Sequence, residues 1–397
     1  MTGAAREASQ PAWIDTQEGL AGLVGTLLSE EAYGLDTEFH RERTYWPRLA
    51  LVQLSWSGGV ALIDPLALDL SPLSRLFGGG GLVVAHAADQ DLEVLERAAG
   101  SVPSRLFDTQ VAAGFVGMSS PSLQSLVERF CGTRLAKGDR LTDWMARPLT
   151  AEQRSYAASD VEHLLDLHAA LAADLRSRGR LGWAEAECEL LRCRARRPSP
   201  PEEIWWRMKE ARSLRGRARG VAQELAAWRD RRAAELDRPA RFVLPDLALA
   251  AMTQRPPQRE SDLESVRGLQ GRLPARTASE VMEAVRAGLA LDESRLRLPP
   301  SDGIDRRQRP AATLASAWLA QRAAELELDP ALLATRADLS SLLGGDSNGR
   351  LSAGWRKEVL GGALADVVAG RVALVLDGKG GLMLEARSYR PPDPAGA

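Results

Sequence analysis

The chain has 397 residues, enough for two or three domains, and 45% apolar content supplies a core for each. It contains no apolar run of about 18 residues to span a membrane, and its opening MTGAAREASQPAW offers none for a signal peptide, so a cytoplasmic, membrane-free protein is expected. The net charge of −2 hints at no polyanion, yet the first 190 residues sum to −10 and the remainder to +8.

In chain order, Ala32 to Phe39 reads as a strand. Leu49 to Trp56, the turn Ser57-Gly58-Gly59 and Val60 to Ile63 read as an antiparallel hairpin. Gly78 to Gly81 lacks a following Lys-Ser or Lys-Thr and is a turn, not a phosphate loop. Leu82 to His86 is a further strand leading into a helix from about Asp89 to Ala99. Thr150 and Gln153 after Pro148 form a capping box, and Ala157, Val161, Leu164, Leu165, His168 and Leu171 continue at helical spacing. Strands interleaved with helices indicate an α/β domain with at least one antiparallel strand; beyond this helix only helical patterns are expected.

Two breaks follow, Arg196-Arg197-Pro198-Ser199-Pro200-Pro201 and Leu298-Pro299-Pro300-Ser301-Asp302-Gly303. The segments behind them share a word at an offset of 90 residues, WRDRRAAEL from Trp228 and WLAQRAAEL from Trp318, which points to a duplicated helical domain. Residues 192–241 hold 15 basic and 7 acidic side chains, a candidate polyanion-holding surface. With 47 of 51 basic residues being arginine, coding bias is the competing account.

Three cysteines, Cys131, Cys188 and Cys193, form no C-x-x-C pair, and His40, His86, His163 and His168 lack a second ligand set, so neither a disulfide framework nor a zinc site is expected. The acids read differently. Asp36 and Glu38 flank Thr37 in a strand and project to one face, where they repel each other unless a cation sits between them; a solvated strand face is the alternative. Asp91 lies in the first turn of the helix after the strand, with Asp89 free to fill the ordinary acidic role at a helix start. Tyr156 and Asp160 are four apart and share a helix face.

The order Asp-x-Glu, Asp, then Tyr-x-x-x-Asp resembles the tyrosine-containing branch of the DEDD exonuclease superfamily. The words GLDTEFHRERTYWPRLALVQL, HAADQDLEVL and TDWMARPLTAEQRSYAASDV resemble the ribonuclease D family within it. The resemblance runs over roughly residues 30–180, and the Trp-containing repeats are similar to the paired helicase-and-RNase-D C-terminal (HRDC) domains of that family.

What it implies is an α/β ribonuclease H-like exonuclease domain, a mixed sheet flanked by helices, over residues 1–195. Two all-α helical domains of HRDC type would follow at 202–295 and 305–390. It assigns metal binding to Asp36, Glu38, Asp91 and Asp160 and a catalytic role to Tyr156, with two divalent ions, Mg²⁺ or Mn²⁺, as cofactors.

Such ions about 4 Å apart supply a hydroxide at neutral pH and relieve charge on the leaving 3′ oxygen, and hard cations suit an all-carboxylate site. The implied activity is removal of nucleotides from RNA 3′ ends as 5′-monophosphates, with tRNA precursors and small RNAs as partners and no obligate protein partner evident. A DNA exonuclease of the same superfamily and a non-catalytic nucleic-acid-binding protein are the rival readings. Arg41, Arg43, Tyr45 and Trp46 are candidate substrate contacts, as phosphate clamps and base-stacking groups, against the alternative of a solvated loop with one packed aromatic. Lys137, Thr142, Asp143 and Trp144 precede the last motif and receive no chemistry.

Overall fold

The computed structural model describes residues 10–135, 142–196, 198–211, 213–299, 304, 307–346, 349–360 and 362–387. Lys137, Arg197, the 300–303 part of the second break, the first nine residues and the ends of the 305–390 segment lie outside the described residues. The chain divides into two compact units: one holds the described residues of 1–37, 51–194 and 302–397, the other those of 38–50 and 195–301.

Six strands form one sheet: β1 (Ala12–Ile14), β2 (Ala32–His40), β3 (Arg48–Trp56), β4 (Gly59–Ile63), β5 (Leu82–Ala85) and β6 (Leu106–Asp108), in the order β1-β4-β3-β2-β5-β6. The pairs β1–β4, β2–β5 and β5–β6 are parallel, while β3–β4 is the expected antiparallel hairpin. Strands β1 and β6 have three residues each, too few for a periodic pattern to announce them. Residues 49–55 of β3 are buried throughout, which is why this inner strand reads as a nearly continuous apolar run.

Among the described residues eight helices accompany the sheet: α1 (Gln17–Leu27), α2 (Leu73–Phe77), α3 (Asp89–Ala99), α4 (Thr109–Gly114), α5 (Leu123–Cys131), α6 (Ala151–Glu162), α7 (Leu164–Ser177) and α8 (Leu181–Arg192). The capping box opens α6: Thr150 Oγ1 accepts from Gln153 N at 3.2 Å and Gln153 Oε1 from Thr150 N at 2.8 Å. The helical spacing continues past residue 163, but the backbone breaks there, with His163 at φ −100° and ψ 3°. Ser55 Oγ donates to the Val161 carbonyl at 2.7 Å, drawing the end of α6 onto β3. Gly34 permits this approach, because a Cβ there would lie 2.2 Å from Ser55 Oγ and 3.3 Å from Leu164 side-chain atoms.

Helical structure then dominates. In the second unit a 3-10 turn (Pro201–Arg207) is followed by α9 (Arg217–Leu236), α10 (Ala240–Val243), α11 (Asp246–Gln254), a 3-10 turn (Glu260–Ser265) and α12 (Ala275–Leu289). They close around Trp205, Val221, Leu225, Leu249, Met252 and Val285.

The C-terminal part of the first unit repeats that order with α13 (Arg309–Glu325), α14 (Pro330–Leu333), α15 (Arg336–Leu343), a 3-10 turn (Arg350–Ser352) and α16 (Gly354–Leu360), then adds α17 (Ala363–Val368). Asp237 and Glu327, again 90 residues apart, follow α9 and α13 with left-handed φ of 46° and 49°. Trp318 and Trp355 share a core with Phe107, Phe115 and Leu171. Beneath it, burial alone would raise the Glu187 carboxyl, but Arg356 at 2.6 and 3.0 Å, Trp355 Nε1 at 3.0 Å and Arg350 at 2.8 Å hold it at about 2.

One element departs from the helical expectation. Strands β7 (Val372–Leu376) and β8 (Leu382–Ala386) form an antiparallel hairpin. Its turn is closed by Asp377, which accepts from Lys379 N at 2.7 Å and Gly381 N at 2.9 Å, with Gly378 and Gly380 at positive φ. The apolar run V-A-L-V-L, with β-branched Val372 and Val375, before an Asp-Gly turn carries the signal that the surrounding helical pattern obscures.

The Gly34 packing yields a measurable expectation. Gly34→Ala should destabilise the fold by about 1–3 kcal/mol, as overpacking of a filled core does, while Ser29→Ala on the exposed turn should stay within about 0.5 kcal/mol. Unchanged urea midpoints for both would show that α6 and α7 do not depend on this contact.

Candidate active site

Strand β2 sets two acids in place by its period alone. Leu35 and Thr37 are buried on one face, and Asp36 and Glu38 are half-buried on the other. Helix α6 brings the third, Asp160, from more than a hundred residues further along. One carboxylate oxygen from each of Asp36, Glu38 and Asp160 lies within 4.8 Å of the other two. The helix is fixed by its capping box, by the Ser55–Val161 bond and by the packing of Leu149 and Ala157 on Leu51 and Leu62. The Tyr156 hydroxyl hydrogen-bonds the Asp160 carboxylate one turn away, and its ring lies 6.1 Å from that of Trp144.

Asp91 takes a different place. It sits buried in the first turn of α3 and accepts a hydrogen bond from Thr37 Oγ1, the side chain between the two strand acids. It therefore meets β2 through Thr37 and stands outside the three-acid group. Asp89, exposed and 3.0 Å from Arg194, fills the surface role at the helix start.

Two further residues hold Asp91 that the spacing did not single out. Thr37 is one; Asp108 is the other, accepting from Ala87 N (3.2 Å), Ala88 N (2.8 Å), Gln110 N (2.8 Å) and Val111 N (3.1 Å). It thereby fastens the turn before α3, where Ala87 adopts φ 57°, to the start of α4. An Asp directly before a helix signals a cap, but only the fold shows that it serves two.

Crowded, desolvated acids resist ionisation. Burial pushes the Asp91 carboxyl up to about 6, against a lowering by Thr37, and burial likewise pushes Asp160 up to about 6, against a lowering by Tyr156. A cluster of carboxylate oxygens, with no His or Cys among them, matches hard divalent cations.

The segment after β2's acids holds the candidate substrate residues. Arg41 lies over the Phe39 ring at 5.1 Å, and Arg43 is exposed. The Tyr45 and Trp46 rings meet edge to face at 4.7 Å. Tyr45 also donates its hydroxyl to Asp230 at 2.9 Å, and the backbone amides of Tyr45 and Trp46 both donate to Asp237 at 3.1 Å. Nothing in the local sequence of Asp230 and Asp237, on and just after α9, separates them from ordinary helix-surface acids.

A sequence model of 3′-5′ exonuclease domains matches residues 11–176, and one of HRDC domains matches residues 218–285. Ribonuclease D of Gluconacetobacter diazotrophicus is 37% identical over 358 residues, covering 88% of this chain and 91% of that protein. Ribonuclease D of Zymomonas mobilis is 36% identical over 351 residues, with 86% and 90% covered. Among solved structures, Escherichia coli RNase D, an exoribonuclease involved in structured RNA processing, matches with a TM-score of 0.82 at 32% identity, over 91% of this chain and 99% of that one.

To hold a cation, Asp91 and Asp160 must release protons. Divalent-ion affinity should therefore be full above about pH 6 and fall below it. The sign for stability follows: with folded values above the ordinary range, ionisation of these acids disfavours the fold as pH rises toward about 6, and a bound cation offsets that. Adding Mn²⁺ should raise the thermal midpoint more at about pH 7.5 than at about pH 5. An equal rise at both would mean that neither acid takes part.

Proposed function

Because the chain belongs to the ribonuclease D family of 3′-5′ exoribonucleases, we propose that Asp36, Glu38, Asp91 and Asp160 hold two divalent ions, Mg²⁺ or Mn²⁺, at the 3′ end of a bound RNA. The observation that carries this assignment is the convergence of Asp36, Glu38 and Asp160 within 4.8 Å, with Tyr156 bonded to the last of them. Asp91, bonded to Thr37 of the same strand, is the proposed fourth member.

Bound there, divalent ions supply an activated water and charge relief on the leaving 3′ oxygen. The rest falls to the protein. Asp36 and Glu38 fix the site to a strand whose spacing cannot drift, and Asp160 joins them from a capped helix. Tyr156, anchored through its bond to Asp160 and flanked by Trp144, would supply the hydroxyl that orients the attacking water. Asp108, with four backbone amides, keeps the start of α3 and hence Asp91 in register.

The physiological substrates are proposed to be tRNA precursors and other structured RNAs, processed in the cytoplasm; the structured-RNA role of the Escherichia coli relative supports this. A domain plan of 1–195, 202–295 and 305–390, with two HRDC-type domains, is supported by the HRDC match at 218–285 and by the same element order recurring in α13 to α16. The arginine-rich stretch from Arg192 to Arg241 is the proposed phosphate-holding surface, together with Arg41 and Arg43.

Labelled single-stranded RNA, single-stranded DNA and a tRNA precursor, each with EDTA, Mg²⁺ or Mn²⁺, test this reading. Ion-dependent shortening of both RNAs is expected, and faster removal from DNA would shift the substrate class. Alanine at Asp36, Glu38, Asp91 or Asp160 should lower turnover at least about 100-fold, since even outer-shell losses around a metal cost about 10- to 100-fold. Tyr156→Phe should keep ion affinity while turnover falls by about 10² to 10⁴. Parallel loss of affinity and rate in that variant would make the tyrosine a structural group.

A further inference from the structure

We propose that Asp237 and Asp230 are positioning residues for catalysis, gripping the segment that follows the catalytic strand and thereby fixing Glu38. The proposal rests on Glu38 belonging to the ion-holding set. The registered pairs between β2 and β5 end at Gly34 with Val84, so Glu38 lies four residues beyond the last parallel partner on that side. After His40 the chain leaves the sheet and returns only at Arg48. Strand β3 flanks the other edge of β2, but the irregular loop over residues 41–47 that joins the two strands frays unless something holds it.

The holding group is the C-terminal end of α9. Asp237 takes a left-handed conformation at φ 46° and ψ 48°, where its own amide closes the helix. Its Oδ1 accepts from two successive amides, Tyr45 N and Trp46 N, at 3.1 Å each. Two helical turns back, half-buried Tyr45 reaches Asp230 at 2.9 Å, an acid only 9% exposed. A single side-chain oxygen that accepts from two adjacent amides fixes both position and direction of that backbone. These contacts lie inside one compact unit, since residues 38–50 cluster with 195–301. The first HRDC-type segment is thus part of the support of the catalytic strand, in addition to any role in holding RNA.

Glycine and asparagine both tolerate the left-handed conformation of residue 237, but only asparagine keeps an oxygen to accept the two amides. In the full chain, Asp237→Gly and Tyr45→Phe should each lower kcat on a short single-stranded RNA by about 10-fold, leave KM within about twofold, and raise the Mn²⁺ concentration needed for half activity. Asp237→Asn should restore kcat to near the parent value.

Glu38→Ala serves as the reference. If it stays active, Glu38 is not in the ion-holding set and the site assignment fails. If it is inactive while Asp237→Gly and Tyr45→Phe retain full kcat, the site stands and the clamp is overturned. Equal loss in Asp237→Gly and Asp237→Asn also overturns it, because charge rather than the accepting oxygen would then be at work. Should Asp237→Gly fail to fold, Tyr45→Phe decides by the same kcat and Mn²⁺ readouts.

Discussion

Three carboxylates held within 4.8 Å of one another repel, and the rest of the catalytic half is arranged to withstand that repulsion. Burial alone pushes the Asp160 carboxyl up to about 6. A cation relieves the repulsion only if the acids are already in place, so the scaffold must supply the geometry beforehand. Strand period gives Asp36 and Glu38. The position of Asp160 depends, beside the cap and the packing of Ala157, on α6 and α7 being pressed onto β2 and β3 where Gly34 leaves room and Ser55 donates to the Val161 carbonyl.

Much of this framework is legible in the sequence because it is local. The two-residue period of β2, the turn at Ser57-Gly58 and the Thr150–Gln153 box each lie within a few residues, and the structure has all three. What the sequence leaves hidden depends on partners far along the chain. Thr37 reads as the spacer of Asp-x-Glu, yet it bonds Asp91, 54 residues away. Tyr45 reads as a loop aromatic, and the bond of its hydroxyl to Asp230, 185 residues away, leaves no local trace. The helix after Thr150 breaks at His163 because β3 competes for its carbonyl, a competition that periodicity cannot register. The β7–β8 hairpin was readable by composition and was masked by its helical surroundings.

The two helical segments use one device twice. Each long helix ends on an acid in the left-handed region, Asp237 after α9 and Glu327 after α13. Asp237 grips the backbone of Tyr45 and Trp46, while Glu327 pairs with Arg178 at 2.6 Å, and the neighbouring Asp329 amide donates to the Gly114 carbonyl at 2.8 Å. A left-handed helix end exposes its side chain at a fixed angle, so it serves as an attachment point whatever it attaches to. Around the second copy the attachment is reinforced by apolar burial and by the Glu187–Arg356 pair, neither of which tolerates the loss of one partner.

The bond from Tyr45 N to Asp237 spans 192 residues, and that separation has a meaning in time as well as in space. A ribosome delivers β2 long before α9, so a nascent chain holds its acidic strand with the loop behind it still ungripped. The apolar face around Phe107 and Phe115 waits longer still, until Trp318 and Trp355 have been made. Contacts of such long range form last and slow the final steps of folding. An enzyme that consumes RNA 3′ ends is thereby made on a schedule in which its acidic strand finds its sheet neighbours early, while the loop behind that strand meets Asp230 and Asp237 only after α9 has left the ribosome.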